Sequence, residues 1–210
     1  DNYTKILDDT DVTSSIGNTF FIAIFSLVLT NVIGLLLALA LNRGLKTRYL
    51  LRTLLFLPVI LSTIAVSYIF RFIFYIEGPI NQFLIAIGQP DLQKTWLADA
   101  TWSIWVILIV VVWQNIGFAM VIYLAGLATV PQELEEAAAI DGAGVWRRFR
   151  SVTMPMIQPA IAVSTTLSII QGMKIFDQVI AMTGGGPFGA TETLSTIIYK
   201  KTFSFMQYGY

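Results

Sequence analysis

Polar and apolar positions fall into long blocks along this chain instead of alternating residue by residue. Residues 1–17 (DNYTKILDDTDVTSSIG) are polar, with four aspartates and one lysine, and read as a solvent-exposed segment. Asn18–Leu41 follows without a charge. As a helix rising 1.5 Å per residue it spans roughly 36 Å, enough for a ~30 Å hydrocarbon core with some tilt. Arg43, Lys46, Arg48 and Arg52 come next, then the uncharged Thr53–Phe70, bounded by Arg71. Pro58 should kink that helix or mark its first turn. Residues 71–99 mix both classes around Gly78-Pro79 and Gln89-Pro90, punctuation that predicts loop. Ala100–Gln132 is uncharged, and its Trp102 and Trp105 suit an interfacial aromatic belt. Ser151–Met173 is the fourth uncharged run, closed by Lys174 and Asp177. Gly184-Gly185-Gly186-Pro187 then breaks the chain, and residues 188–210 are amphiphilic. The pattern predicts an all-α, polytopic membrane helical bundle with four spanning helices.

The one long polar interruption between two uncharged runs is Glu133–Pro159, ELEEAAAIDGAGVWRRFRSVTMPMIQP. Thr129 and Gln132 have the spacing of a capping box, and Pro131 suits a first helical turn. Glu133, Glu135 and Glu136 then fall near the positive end of the helix dipole. Leu134, Ala137, Ala138 and Asp141 share one helical face, and three successive alanines keep that helix slim enough for another surface to approach. Gly142 is placed to end the helix in the left-handed cap. A second short helix carries Trp146 and Phe149, with Arg147, Arg148 and Arg150 around them. Pro155 and Pro159 start the next apolar run. The expectation is a helix–turn–helix on a membrane surface, offered to a partner.

Composition narrows the class. Of 210 residues, 56% are hydrophobic and 12% charged, against about 25% charged in soluble domains. Mean hydropathy is +0.72. Formal net charge is zero, so nothing directs the chain to nucleic acid. There is no cysteine and no histidine, which removes disulfides, thiol catalysis and the usual zinc sites; no metal site is expected. Arg43, Lys46, Arg48 and Arg52 lie in one loop, and Arg147, Arg148 and Arg150 in another on the same side of the predicted bundle. Seven of thirteen bases in two short loops mark that side as cytoplasmic. The N-terminal segment, residues 71–99 and the glycine-rich loop then face outward. The only glycine cluster, GGGPFGATET, lacks the lysine of a phosphate-binding loop.

Glu136-Ala137-Ala138, then Gly142 after three residues, then Val152, Met154 and Pro155 after nine more resemble the EAA loop of ABC importer permeases. That family pattern is Glu-Ala-Ala-x3-Gly-x9-Ile-x-Leu-Pro, and two apolar-for-apolar swaps separate this chain from it. Leu127 and Pro131 before it, Ile140-Asp141-Gly142-Ala143 within it, and Thr183–Pro187 after the following helix resemble the sugar permeases of the maltose and glycerol-3-phosphate type. The physical role expected of Thr183–Pro187 itself is a turn and nothing more. The resemblance implies one permease transmembrane domain over 1–210, with 129–155 as its cytoplasmic coupling loop. It also implies a helix before this stretch and one after, so the expectation is a fragment holding four of six core helices.

Further implications concern partners. The subunit would be noncatalytic, with ATP and Mg bound by a separate cytoplasmic ATPase dimer and no cofactor in this chain. A second, related permease subunit, an external solute-binding protein and a sugar-type solute complete the assembly in a prokaryotic plasma (inner) membrane. The outward loops Glu77–Asp99 and Gly184–Phe205 should meet the binding protein. Glu136, Ala137, Ala138, Asp141, Gly142 and Pro155 take the coupling positions. Dipole stabilisation, worth about 0.3–1 kcal/mol, is the plainer role for Glu136, and headgroup anchoring the plainer one for the three arginines.

A transport pathway needs polar groups in apolar helices, since hydrocarbon penalises them elsewhere. Gln114, Asn115 and Phe118 lie in the middle of the helix before the loop. Ser168, Gln171, Lys174 and Asp177 recur every third residue along the helix after it, on one slowly drifting face. Amides, carboxylates and rings suit sugar hydroxyls and ring C–H faces. Interhelical packing, at ~0.6 kcal/mol per hydrogen bond, serves Gln114 and Asn115 equally, and Lys174–Asp177 has the alternative of a structural ion pair. Rival readings are an importer of amino acids, peptides or an oxyanion, and an ion-coupled carrier, which the uncharged spans disfavour. A membrane-embedded enzyme would lack evident chemistry.

Overall fold

The computed structural model describes residues 9–42, 46–204 and 206; Arg43 lies outside them. Helices account for the ordered structure, and no strand occurs among the described residues. In chain order they are α1 (Thr10–Leu41), α2 (Arg48–Ile60), α3 (Thr63–Ile73), α4 (Pro79–Ala86) and α5 (Trp102–Ala128). Then come α6 (Gln132–Ile140), α7 (Val145–Arg148), a π-helical turn over Phe149–Thr153, α8 (Met154–Met156) and α9 (Gln158–Met173). Short helices α10 (Asp177–Met182) and α11 (Leu194–Tyr199) complete the set, with a second π turn over Lys200–Ser204.

Two of the four expected spans are single helices. α1 and α5 are each long and apolar enough to cross a membrane, and two bent pairs, α2 with α3 and α7–α8 with α9, are long and apolar enough only when each pair is taken together. Proline does not place the first break where the sequence pointed. α2 runs through a buried Pro58 for two more residues, and the interruption falls at Leu61 and Ser62, whose carbonyl accepts from the Val66 amide to start α3. The second break bends the chain by 71° at Ile157. Pro155 and Pro159 flank it, each lacking the amide that would continue the ladder.

Two boundaries also move. α1 starts at Thr10, so nearly half of the polar N-terminal segment, residues 10–17, is helical. Residues 71–99, expected as loop, hold α4 and a 3-10 turn at Pro90–Leu92. Gly78 and Pro79 are the N-cap and first turn of α4, the place where a missing amide costs nothing. Asn81 organises the segment. Buried at 1% exposure, it donates to the carbonyls of Ile76 and Lys94, both at 2.9 Å, and accepts from the Trp96 indole at 2.9 Å.

The described residues form two compact units built from non-contiguous segments: those within 1–26, 61–111 and 170–210 in one, those within 27–60 and 112–169 in the other. The first has a core around Ile22, Val66, Val106, Val110, Val179 and Met182. At its edge Trp96 meets Trp102 edge-on at 5.6 Å, and the Lys94 ammonium sits 4.0 Å from the Trp102 ring centre. The second is built on Ala38, Met120, Tyr123, Leu127 and Ile157. There Gly117 lets α5 touch α2: a Cβ at this position would run into the Leu55 carbonyl oxygen. Arg52 reaches back to donate to the Leu41 carbonyl at 2.8 Å, satisfying the last turn of α1. Many large apolar side chains remain exposed, Leu36 at 60% and Ile60 at 71% among them, as a hydrocarbon solvent permits.

Candidate functional site

The polar interruption folds as a short exposed helix followed by a tight reversal. α6 spans nine residues with Pro131 at its N-cap. The capping box does not form. Thr129 instead donates from its hydroxyl to the Gly126 carbonyl at 2.8 Å, closing the end of α5, and Gln132 donates to Glu136 at 2.7 Å, one helical turn along. The C-terminus matches the expectation for Gly142. With Gly142 at φ +76°, its amide bonds the Ala139 carbonyl and the Ala143 amide bonds Ala138, a Schellman closure.

The helical face expected from the sequence divides. Leu134, Ala137 and Asp141 stay exposed, whereas Ala138 and Glu135 turn inward. Glu135 accepts from the hydroxyl of buried Thr153 at 3.0 Å. Ile140, Val145 and Trp146 are 87%, 69% and 71% exposed, so an apolar patch surrounds the reversal. Trp146 and Phe149 keep their rings 5.6 Å apart. The arginines are not equivalent: Arg147 and Arg150 are exposed, while Arg148 is half-buried and its Nε is shielded without a partner. Pro155 lies in α8, next to the bend at Ile157.

The proposed pathway residues fall into different surroundings. Gln114 is buried, and Asn115 and Phe118 are half-buried, on the interior stretch of α5. Ser168 accepts from the Asn31 amide at 3.0 Å. Gln171, Lys174 and Asp177 are exposed. The drifting face ends early, because α9 stops at Met173 and Asp177 opens a new helix. Lys174 and Asp177 make no ion pair; the described ion pairs join Lys200 to Glu192 and Lys201 to Asp9.

Of this junction the pattern singled out Ser168, but not Asn31, Tyr123 or Ser164. Asn31, 8% exposed, donates to Ser168 and to the Leu27 carbonyl, and its oxygen accepts from the hydroxyls of Tyr123 and Ser164, both at 2.6 Å. All four hydrogen-bonding positions of the amide are used. It joins α1, α5 and α9 in the same unit as α6. The signal was available: an amide in an uncharged span is costly unless bonded.

Residues 30–209 match the family of binding-protein-dependent transport system inner membrane components. The chain belongs to that family. As a permease component it is similar to the lactose transport system permease protein of Rhizobium radiobacter, 36% identical over 98% of this chain and 70% of that protein. It is 34% identical to the multiple sugar-binding transport system permease protein of Streptococcus mutans, over 100% of this chain and 71% of that one. A solved bacterial ABC transporter involved in importing the acidic polysaccharide alginate shares its fold, with TM-score 0.86 and 24% identity, over 98% of this chain and 73% of that one.

In this permease the glycine-rich segment is more than the turn expected. The Thr183 and Thr191 hydroxyls lie 2.7 Å apart, and Thr191 also donates to the Gly186 carbonyl. Asn18 donates to the Glu192 carbonyl, while Lys200 bonds both the Glu192 carboxylate and the Gly184 carbonyl at 2.7 Å. This scaffold holds Phe188 fully exposed at φ +50°, on the rim of a cleft of about 560 Å³ that Glu192 and Lys200 also line.

Proposed function

We propose that this permease is the membrane-spanning subunit of an ATP-driven importer that takes a sugar or sugar-derived solute from an external binding protein. Residues 129–155 are its cytoplasmic coupling loop, received by a separate ATPase chain that binds ATP and Mg. The observation that carries the reading is the α6 reversal: a short helix closed by Gly142, with Glu136 and Asp141 exposed beside the apolar patch of Ile140 and Trp146. An isolated chain gains nothing from that patch, whereas a partner cleft buries it and offers bases to its carboxylates.

ATP binding draws the coupling helices of this subunit and a related second permease together and opens the pathway outward. Hydrolysis resets it, so access alternates. Gln114, Asn115, Phe118 and Ser168 line the solute's route on α5 and α9, with Gln171, Lys174 and Asp177 further along the chain. The names of the relatives support a sugar as cargo, and a solved alginate transporter in complex with a pentasaccharide-bound periplasmic protein supports a binding-protein partner on the outward loops. The charge count of the loops supports the orientation in a prokaryotic plasma membrane. The test is uptake into proteoliposomes holding the full complex, with mono- and oligosaccharides set against amino acids and peptides. Saccharide uptake that depends on the binding protein is expected; amino-acid or peptide uptake alone would replace the cargo while keeping the fold.

A further inference from the structure

Three acids within four residues open α6, and only one faces the body of the unit. Glu133 and Glu136 are exposed; Glu135 is half-buried and accepts the Thr153 hydroxyl at 3.0 Å. Thr153 is 5% exposed and ends the π turn of Phe149–Thr153. Its carbonyl accepts from the Ile157 amide at 3.1 Å, at the bend that leads into α9. The helix that bears Ser164 and Ser168 is therefore one hydrogen-bonded step from Thr153.

We infer that Glu135 is a positioning residue, a strut that makes α6 and the Thr153–Ile157 bend move as one body when the coupling loop is displaced. The inference rests on the proposed ATPase docking, which supplies the displacement. Two attachments already tie α6 into the chain, at Pro131 and at the Gly142 closure, and both lie at its ends. Between those ends only the small side chain of Ala138 and the Glu135 side chain turn inward, and force applied to the exposed face of so lightly packed a helix rolls it about its own axis. The Glu135–Thr153 bond lies mid-helix on the inward side and opposes that roll. A π turn, with its wider ladder, sets the register that aims Thr153 at α6. A carboxylate acceptor makes the bond stronger than a neutral pair. Glu136, one residue on and rotated by about 100°, is left free for the partner apart from its bond to Gln132.

The chain has no cysteine, so two labels enter cleanly. Spin labels at Glu133→Cys and Val163→Cys, both exposed positions of one unit, report the distance between α6 and α9. The measurement is made on the complete complex in lipid nanodiscs, without nucleotide and with ATP trapped by vanadate, scoring retention of the ATPase chain in parallel. In the otherwise native chain the distance should be narrow and unchanged by nucleotide. Glu135→Ala and Thr153→Val should retain the ATPase, broaden the distribution and shift it on trapping. Glu135→Gln and Thr153→Ser, which keep acceptor and donor, should restore the narrow distance, and the double variant should be no worse than either single one. Glu136→Ala should weaken ATPase retention without broadening. Narrow, nucleotide-independent distances in Glu135→Ala and Thr153→Val, or broadening that Glu135→Gln does not reverse, would overturn the strut. If the native chain retains no ATPase, the docking reading fails separately, and the width without nucleotide still reports the bond.

Discussion

The α6 loop and the Asn31 junction lie in the same compact unit and use polar side chains in opposite ways. At the junction every hydrogen-bonding position of one amide is matched by groups from three helices, and Asn31, Tyr123 and Ser164 are buried. At the loop Glu136, Asp141, Ile140 and Trp146 project outward, with little of their chemistry used inside the chain. The junction is complete as it stands. The loop, in the function proposed above, is completed by the ATPase chain. Substitutions should therefore separate the two regions, with stability lost at the buried one and coupling lost at the exposed one.

The largest stability loss is expected beside the junction, at Gly117→Val. Its Cβ would strike the Leu55 backbone, which cannot rotate away, and overpacking of this kind costs about 3 kcal/mol. Thermal unfolding in detergent should show it as a lowered midpoint. Asn31→Ala comes next. Four hydrogen bonds are lost at ~0.6 kcal/mol each in a membrane setting, for a total of about 2 kcal/mol. An unchanged midpoint would mean that Tyr123 and Ser164 find new partners, and the junction would then not be the keystone described. Gly142→Asp should cost only about 1 kcal/mol, from placing a side chain at positive φ, and should act locally on the α6 reversal. Smallest of all, Trp146→Ala, Ile140→Ser and Lys174→Met should each stay within about 0.5 kcal/mol of native stability. For Trp146 and Ile140 the loss should appear instead as weaker co-purification of the ATPase. For Lys174 the absence of an ion pair with Asp177 is what keeps the stability cost small.

Residues exposed by the fold were the more legible ones. The α6 helix, its Gly142 stop and the Trp146–Phe149 pair follow from spacing alone, because capping and periodicity are local. Whatever depends on contacts distant in sequence was harder to read. The face of α6 could not be assigned among three acids, since the register of Thr153 depends on a π turn that no pattern announces. Pro58, expected to kink its helix or mark the first turn, does neither, and the break falls at Leu61 and Ser62, because a proline weakens a helix without fixing where it parts. Asn81 turns a Gly- and Pro-punctuated segment into a built one through four side-chain bonds to its own neighbourhood. Lys174 and Asp177 looked paired along a helix that in fact ends between them. Lys200 found Glu192 across the glycine-rich loop, where sequence offered only a turn.

The most direct measurement of the central claim is solute uptake and ATP hydrolysis, followed side by side in vesicles carrying the complete complex, for native, Glu136→Ala and Gly142→Asp permease. The account predicts that both variants insert normally yet lose uptake and solute-stimulated hydrolysis together. Uptake that persists in the variants, or in native vesicles without any ATPase chain, would contradict it and leave an ion-coupled carrier as the better description.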